Sequence, residues 1–134
     1  MSTEQNKTIV RRYFEAYDTD DLAAVMAFVH PSHTHHPPGG AESMDYEARK
    51  ESDGVFFAGF SNIRTIVEDQ IAEGSKVASR ITMHCTHTGE FHGMPATGKR
   101  IAITFIDIAR IKDGKIVEEW TEYDMGTILR LLKE

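Results

Sequence analysis

The chain has 134 residues, of which 40% are hydrophobic and 27% charged, a balance typical of a globular protein with one sizeable core. Its 15 basic and 21 acidic residues give a net charge of −6, which argues against a nucleic-acid or anionic-membrane partner, because both need a cationic surface. No apolar run approaches the roughly 20 residues of a membrane helix, and the N-terminus lacks the apolar core of a signal peptide. We therefore expect one domain over residues 1–134, located in the cytoplasm.

Helical spacing of apolar residues dominates the first third of the chain. One stripe of a first helix is formed by Ile9, Val10, Tyr13, Phe14 and Tyr17, and Ser2 or Thr3 can cap it. A short second helix follows the acidic break at residues 18–21, and a third is predicted over about residues 46–57. Between the last two, residues 30–43 contain His-Pro, Pro-Pro and Gly-Gly pairs, which predict a loop or a short edge strand.

In the rest of the chain, apolar and polar residues alternate in the pattern of β-strands. Strands are predicted over residues 63–71, 76–87, 100–112 and 116–124, followed by a short C-terminal helix. Asp113-Gly114 is a strong signal for a two-residue hairpin. Helices followed by a run of strands predict an α+β fold with a mostly antiparallel sheet.

The predicted strand over residues 100–112 is apolar on both faces. One face carries Ile101, Ile103 and Phe105, and the other carries Ile106 and Ile108. The chain's own helices can cover one face. We expect the other face to pack against a second subunit in a homodimer. The alternative is that loops of the same chain cover this face.

The last strand contains a candidate acid/base. The period of two places Glu118, Trp120, Glu122 and Asp124 on one face. An indole beside a carboxyl group lowers the local dielectric and raises the carboxyl pKa towards a value useful for proton transfer. This favours Asp124, although an isolated carboxylate at a strand end is more often solvated.

The preceding strand over residues 76–87 contributes two further polar side chains. Arg80 lies on the face opposite to His87 unless a bulge intervenes. A lone strand histidine is more often a structural residue than a catalyst. Cys85 is the only cysteine, which excludes an intrachain disulfide, and no base beside it is assured, so we expect a structural thiol.

The histidine-rich segment raises the question of a metal. His33 and His35 could present two nitrogens to one ion on a strand, as in a cupin-like barrel. A cupin also needs a glutamate a few residues later, where this chain has Pro38, Gly39 and Gly40. We therefore expect no metal and no cofactor.

Several segments together resemble the SnoaL-like ester cyclases, a family of polyketide cyclases. They are Thr86-His87-Thr88-Gly89-Glu90-Phe91, the stretch over residues 93–99, the stretch over residues 113–124, Val67-Glu68-Asp69, residues 71–74 and Glu15-Ala16-Tyr17. The resemblance spans nearly the whole chain. It implies the fold of the nuclear transport factor 2 and ketosteroid isomerase superfamily, a cystatin-like cone in which three N-terminal helices pack on a strongly curved, mostly antiparallel sheet.

The resemblance also implies a reaction. Founding members close a ring of an aromatic polyketide by intramolecular aldol condensation, without cofactor or metal, and use an aspartate as general acid/base. That aspartate is similar to Asp124, and the two family histidines are similar to His87 and to His35, with His36 one place off. In this interpretation Asp124 takes and returns the proton, while the histidines donate hydrogen bonds to the developing enolate or alkoxide.

The expected ligand is a small apolar or polyketide-like molecule. Its pocket is expected to contain Arg80, which could orient a carboxylate or ester, together with Trp120, Phe105, Tyr17, Phe56 and Glu118. Two alternatives stay open: a non-catalytic small-molecule-binding domain, and an isomerase, dehydratase or hydrolase that uses the same pocket.

Overall fold

The computed structural model describes the whole chain, Met1–Glu134. The helices are α1 (Thr3–Ala16), α2 (Leu22–Met26), α3 (Tyr46–Gly59) and α4 (Met125–Lys133). The strands are β1 (Val29–His36), β2 (Phe60–Glu73), β3 (Lys76–His87), β4 (Arg100–Lys112) and β5 (Lys115–Glu122). The predicted α+β class is confirmed.

Each helix begins at a side chain that satisfies its free backbone N–H groups. Ser2 and Gln5 form a reciprocal capping box at the start of α1. Asp21 caps α2 and Asp45 caps α3, each by accepting a backbone N–H in the first turn. These caps explain why the helices begin at the polar breaks in the sequence.

The five strands form one sheet in the order β1-β5-β4-β3-β2, and only the β1–β5 pair is parallel. The segment with the His-Pro pair is therefore an edge strand and not a loop. Pro31 lies within it, which suits an edge because proline cannot donate to a central ladder. Pairing with β5 places His35 opposite Glu119.

Irregular pairing bends the sheet. The β2–β3 register shifts between Ser61 and Arg64 and again between Val67 and Asp69, and the β4–β5 register shifts at Arg110. Such bulges increase local twist and curvature. Helix α1 packs on β2 and β3, and α3 packs on β1 and β2, so the concave face is covered by helices.

The convex face remains partly apolar. Ile71, Ile106 and Ile108 are exposed by 76%, 46% and 37%, so no loop of the chain covers them. Pairing of two chains through this face stays a prediction. None of the helices combines the length and the apolar character needed to cross a membrane.

Candidate active site

A cavity of about 320 Å³ lies between α1, α3, α4 and the concave face of the sheet. This volume is at the lower end of the range for small-molecule sites. Its apolar wall includes Phe14, Val55, Phe56, Met83, Phe91, Ile103, Phe105 and Ile128. Its polar groups are Tyr13, Tyr17, His35, Arg49, Ser52, Asp53, His92, Asp107, Glu119, Thr121 and Tyr123.

Arg49 lies at the centre of the polar groups and contacts several of them. Its guanidinium is almost completely buried, and Nη1 donates to Glu119 Oε1 at 2.5 Å. Nη2 donates to the hydroxyl of Tyr17 at 2.9 Å and to that of Tyr13, and it lies 3.3 Å from Asp53 Oδ2. A buried charge is tolerated only when it is paired and hydrogen-bonded in this way.

The two histidines of β1 face the same guanidinium. His33 Nδ1 lies 3.0 Å from the Ile116 carbonyl oxygen and must donate to it, so Nε2 is an acceptor, 3.4 Å from Arg49 Nη1. His35 Nδ1 lies 2.8 Å from Nη1, a permanent donor, and 3.3 Å from the acceptor Glu119 Oε1. The shorter contact favours Nδ1 as an acceptor, and on this basis we assign the ring proton to Nε2. Burial lowers the pKa of His33, which keeps this imidazole neutral.

His33, His35 and Glu119 could hold a metal ion, since their ligand atoms lie within 4.8 Å of one another. Nη1 of Arg49, however, lies within 3.4 Å of all three. The guanidinium nitrogen takes the place of an ion and supplies its positive charge. The absence of a metal requirement remains a prediction, and this contact gives it a physical reason.

Asp107 and Glu119 form a carboxyl pair on the neighbouring strands β4 and β5, in the wall of the cavity. Asp107 Oδ1 accepts a hydrogen bond from Thr121 Oγ1 at 3.1 Å, whereas Oδ2 is buried and receives no donor. Burial and then the charge of Glu119 raise the pKa of Asp107 well above its usual range. Burial opposes ionisation of Glu119 too, but Arg49 and a hydrogen bond from Asp107 hold its pKa well below the usual range. The two pKa shifts have opposite directions, which favours a neutral Asp107 beside an ionised Glu119.

Asp124 does not reach the cavity. Strand β5 ends at Glu122, and Asp124 is the exposed N-cap of α4, where it accepts from Thr127 N at 3.3 Å and Thr127 Oγ1 at 3.0 Å. These hydrogen bonds lower the pKa of Asp124, whereas the sequence predicted a raised one. That prediction is wrong, and we assign Asp124 no catalytic role.

Three of the predicted pocket residues lie on the convex face instead. Trp120 stacks on His36 with ring centroids 5.1 Å apart, and Glu118 accepts from Arg110 at 3.1 Å. Arg80 is exposed and pairs with Asp69 at 3.0 Å. The period of two was correct for β5, but the face that points inwards carries Glu119 and Thr121.

His87 faces the concave side and is fully buried, yet it does not line the cavity. Its Nδ1 accepts from the backbone N–H of Thr97 at 3.2 Å and from Thr97 Oγ1 at 2.9 Å, so it anchors the segment that follows β3. Phe60 packs against both His87 and the cavity residue Phe91. Nearby Cys85 is buried, and burial raises its thiol pKa to about 12.

His35, Tyr17, Phe56 and Phe105 lie in the cavity wall, where the sequence placed them. The predicted site did not include Arg49, Asp53, Asp107 or Glu119. A signal existed only for Asp107, because it shares a strand face with Ile101, Ile103 and Phe105. A single carboxyl group on an apolar, inward strand face indicates a buried acid.

Comparison with known proteins adds a second line of evidence. Residues 7–132 match the sequence model of the SnoaL-like polyketide cyclases. Aklanonic acid methyl ester cyclase DnrD of Streptomyces peucetius is 33% identical over 98% of this chain and 92% of its own length. Aklanonic acid methyl ester cyclase DauD of Streptomyces sp. strain C5 is 33% identical over 92% of this chain and 79% of its own.

Solved structures agree. IdmH of Streptomyces antibioticus, described as a candidate polyketide cyclase, superposes with a TM-score of 0.83 at 29% identity, over 97% of this chain and 99% of its own. AclR of Streptomyces galilaeus, described as a candidate hydroxylase, superposes with a TM-score of 0.88 at 27% identity. The match covers 99% of this chain and 84% of AclR. With matches that span nearly its whole length, the chain belongs to the SnoaL-like polyketide cyclase family.

Proposed function

We propose that this protein closes a ring in a polyketide-derived methyl ester by intramolecular aldol condensation, using carboxyl groups and no cofactor. The observation that carries the proposal is that Asp107 and Glu119 lie buried together in the wall of an aromatic-lined cavity, where Asp107 Oδ2 has no hydrogen-bond partner. The names of the two aklanonic acid methyl ester cyclases support the substrate class.

Aldol closure needs a group that can both take and give a proton. The reaction removes a proton from a carbon next to one carbonyl and builds negative charge on the oxygen of a second carbonyl. Burial and then Glu119 raise the pKa of Asp107, so its ionised form is a stronger base that is suited to take the proton from that carbon and then give it to that oxygen. The Nε2–H of His35 supplies a second donor at the cavity wall.

Glu119 and Arg49 act through Asp107 and are positioning residues. The ionised carboxylate of Glu119 disfavours a second negative charge on Asp107. Arg49 holds Glu119 in the ionised state with its short Nη1 contact. The arrangement pushes the pKa values of two neighbouring carboxyl groups apart, so that the two groups can have different roles in proton transfer.

The test uses aklanonic acid methyl ester and follows ring closure by chromatography. We expect the parent protein to turn over the ester, and Asp107→Asn to slow closure by about 10²–10⁴-fold, the usual effect of removing a general acid or base. Asp69→Asn, at an exposed carboxylate on the convex face, is the matched control and should keep the parent's rate.

Closure by Asp107→Asn at the parent's rate would refute the assignment of Asp107 as the acid/base. Failure of the parent to close the ester would refute the substrate class. Tight binding of the ester without turnover would instead indicate a non-catalytic binding domain.

We also propose that two chains associate through the convex face, because Ile71, Ile106 and Ile108 are exposed there. The cavity is enclosed by elements of one chain, so each subunit would have its own site. The cytoplasmic location expected from the sequence likewise stays a proposal.

A further inference from the structure

Tyr123 follows the last residue of β5 and continues the inward face of that strand. The period of two that places Glu119 and Thr121 in the cavity wall places Tyr123 there as well. The next residue, Asp124, caps α4, so Tyr123 is held between the end of a strand and the start of a helix. Its ring packs against the apolar core, and the residue is half-buried. It therefore lies in the part of the cavity wall that is closer to solvent.

The hydroxyl of Tyr123 differs from those of the other two tyrosines in the cavity wall. Tyr17 donates to Asp53 Oδ2 at 2.8 Å, and Tyr13 contacts Glu119 Oε1 at 3.1 Å, so both of these buried hydroxyls are occupied within the chain. The Tyr123 hydroxyl makes no hydrogen bond to the chain, and it is not among the buried unpaired atoms. It is therefore a free donor that a ligand in the cavity can reach.

The surroundings of this hydroxyl decide which ligand atom suits it. Burial and then the charge of Asp53 raise the pKa of Tyr123, so the phenol keeps its proton and acts as a donor at neutral pH. The same negative charge disfavours an anionic ligand group and leaves a neutral oxygen as the suitable acceptor. Ser52 also lines the cavity with a hydroxyl, but it is exposed, so water competes for its hydrogen bonds. A half-buried donor is better shielded from this competition.

We infer that Tyr123 is a specificity-determining residue, whose hydroxyl donates a hydrogen bond to a carbonyl oxygen carried by the aromatic ring system of the ligand. The inference rests on the proposed function for its ligand class. The rings of Phe56, Phe91 and Phe105 give the cavity an apolar wall that suits a flat ring system. A neutral carbonyl oxygen on that ring system accepts the phenol proton and adds no charge beside Asp53. A hydrocarbon of the same shape would leave the hydroxyl without this partner.

Binding of anthraquinone and of anthracene tests this hydrogen bond without any turnover. The two compounds are flat, neutral and built on the same three-ring frame, and only anthraquinone has carbonyl oxygens. In fluorescence titrations the parent should bind anthraquinone, and Tyr123→Phe, which keeps the ring, should bind it about three- to tenfold more weakly, the usual effect of one neutral hydrogen bond. Affinity for anthracene should not fall. Tyr46→Phe is the matched control, because Tyr46 lines a separate surface groove, and it should bind both compounds as the parent does.

The inference and the proposed function can fail separately. Failure of the parent to bind anthraquinone, or an equal change for both compounds in Tyr123→Phe, would overturn the role of Tyr123. With aklanonic acid methyl ester as substrate, Tyr123→Phe should raise KM by about three- to tenfold and leave kcat unchanged, as expected for a contact that binds substrate and transition state equally. An unchanged KM beside normal ring closure would overturn the inference alone. A parent that binds anthraquinone but does not close the ester would refute the proposed function and support the role of Tyr123 in binding.

Discussion

Replacing Arg49 by methionine tests whether the buried charges depend on one another. Methionine keeps an unbranched apolar stem but removes the cation, so Glu119, 1% exposed, loses its partner. Removing one partner of a buried ion pair typically costs about 3–5 kcal/mol. The hydroxyls of Tyr13 and Tyr17 lose a donor as well, so we expect a loss near the upper end at pH 7. That is a large part of the roughly 5–15 kcal/mol that stabilises a typical domain.

The loss should depend on pH in a defined direction. In the parent, the pKa of Asp107 is raised and that of Glu119 lowered. Above the usual carboxyl pKa of about 4, the raised pKa of Asp107 lets the folded pair keep protons that the unfolded carboxyls have lost. The contribution of the pair to stability therefore falls as pH rises, by at most about 1.4 kcal/mol per pH unit for each such proton. Without Arg49, burial should raise the pKa of Glu119 too, so the stability of the variant should fall more steeply with pH than that of the parent.

Urea unfolding of the parent and of Arg49→Met at pH 5 and pH 7 measures both effects. Arg49→Met/Glu119→Gln is the control, because it removes both charges and should recover much of the stability. A loss that is equal at the two pH values would refute the proposed protonation of the pair. A loss under about 1 kcal/mol, the usual worth of an exposed ion pair, would show that Arg49 is not buried in solution.

The remaining predictions concern the metal and the oligomer. Elemental analysis of untagged parent protein should find no stoichiometric metal, because Arg49 Nη1 lies among the possible ligand atoms, whereas Arg49→Ala should bind Co²⁺ with visible absorption. Stoichiometric metal in the parent would contradict this reasoning. Sedimentation at micromolar concentration should show a dimer, and Ile106→Lys should shift it towards the 15.1 kDa chain mass. Sedimentation of the parent protein as a single chain would contradict the predicted dimer through the convex face.

Much of the fold could be predicted from the sequence because local signals and packing agree. The predicted bounds of β3 and β4, residues 76–87 and 100–112, match the structure. The hairpin after β4 is equally local, since Asp113 and Gly114 both adopt the positive φ angles, 53° and 74°, that this turn requires. Strand β1 was ambiguous because its prolines and histidines have weak strand propensity, and it is held by pairing with β5.

The inward face of β5 could not be predicted because the two faces have similar residues. One face carries Glu119 and Thr121, and the other carries Glu118 and Trp120. The sequence favoured the face of Trp120, yet its ring lies on the convex side, where it stacks on the imidazole of His36 and has the ammonium of Lys76 5.2 Å from its centroid. Asp124 was ambiguous for another reason. An aspartate at a strand end and an aspartate that caps the next helix look the same in sequence, and here the helix begins one residue later.

The charged residues of the site could not be recognised in the sequence, because each one taken alone resembles a surface residue. Arg49 and Asp53 are spaced i, i+4 on α3, as in a common surface ion pair, and Glu119 is 70 residues from Arg49 in the chain. In the fold they share one cavity, and their balance bears on the substrate. The one cation of the cavity wall, Arg49, contacts the carboxyl groups of both Glu119 and Asp53, while burial and then Glu119 raise the pKa of Asp107, which disfavours its charge. A substrate with a free carboxylate would add negative charge to a site that already has an excess of it, whereas a methyl ester would not. This charge balance supports our proposal of an esterified substrate, which rests on the names of the two cyclase relatives.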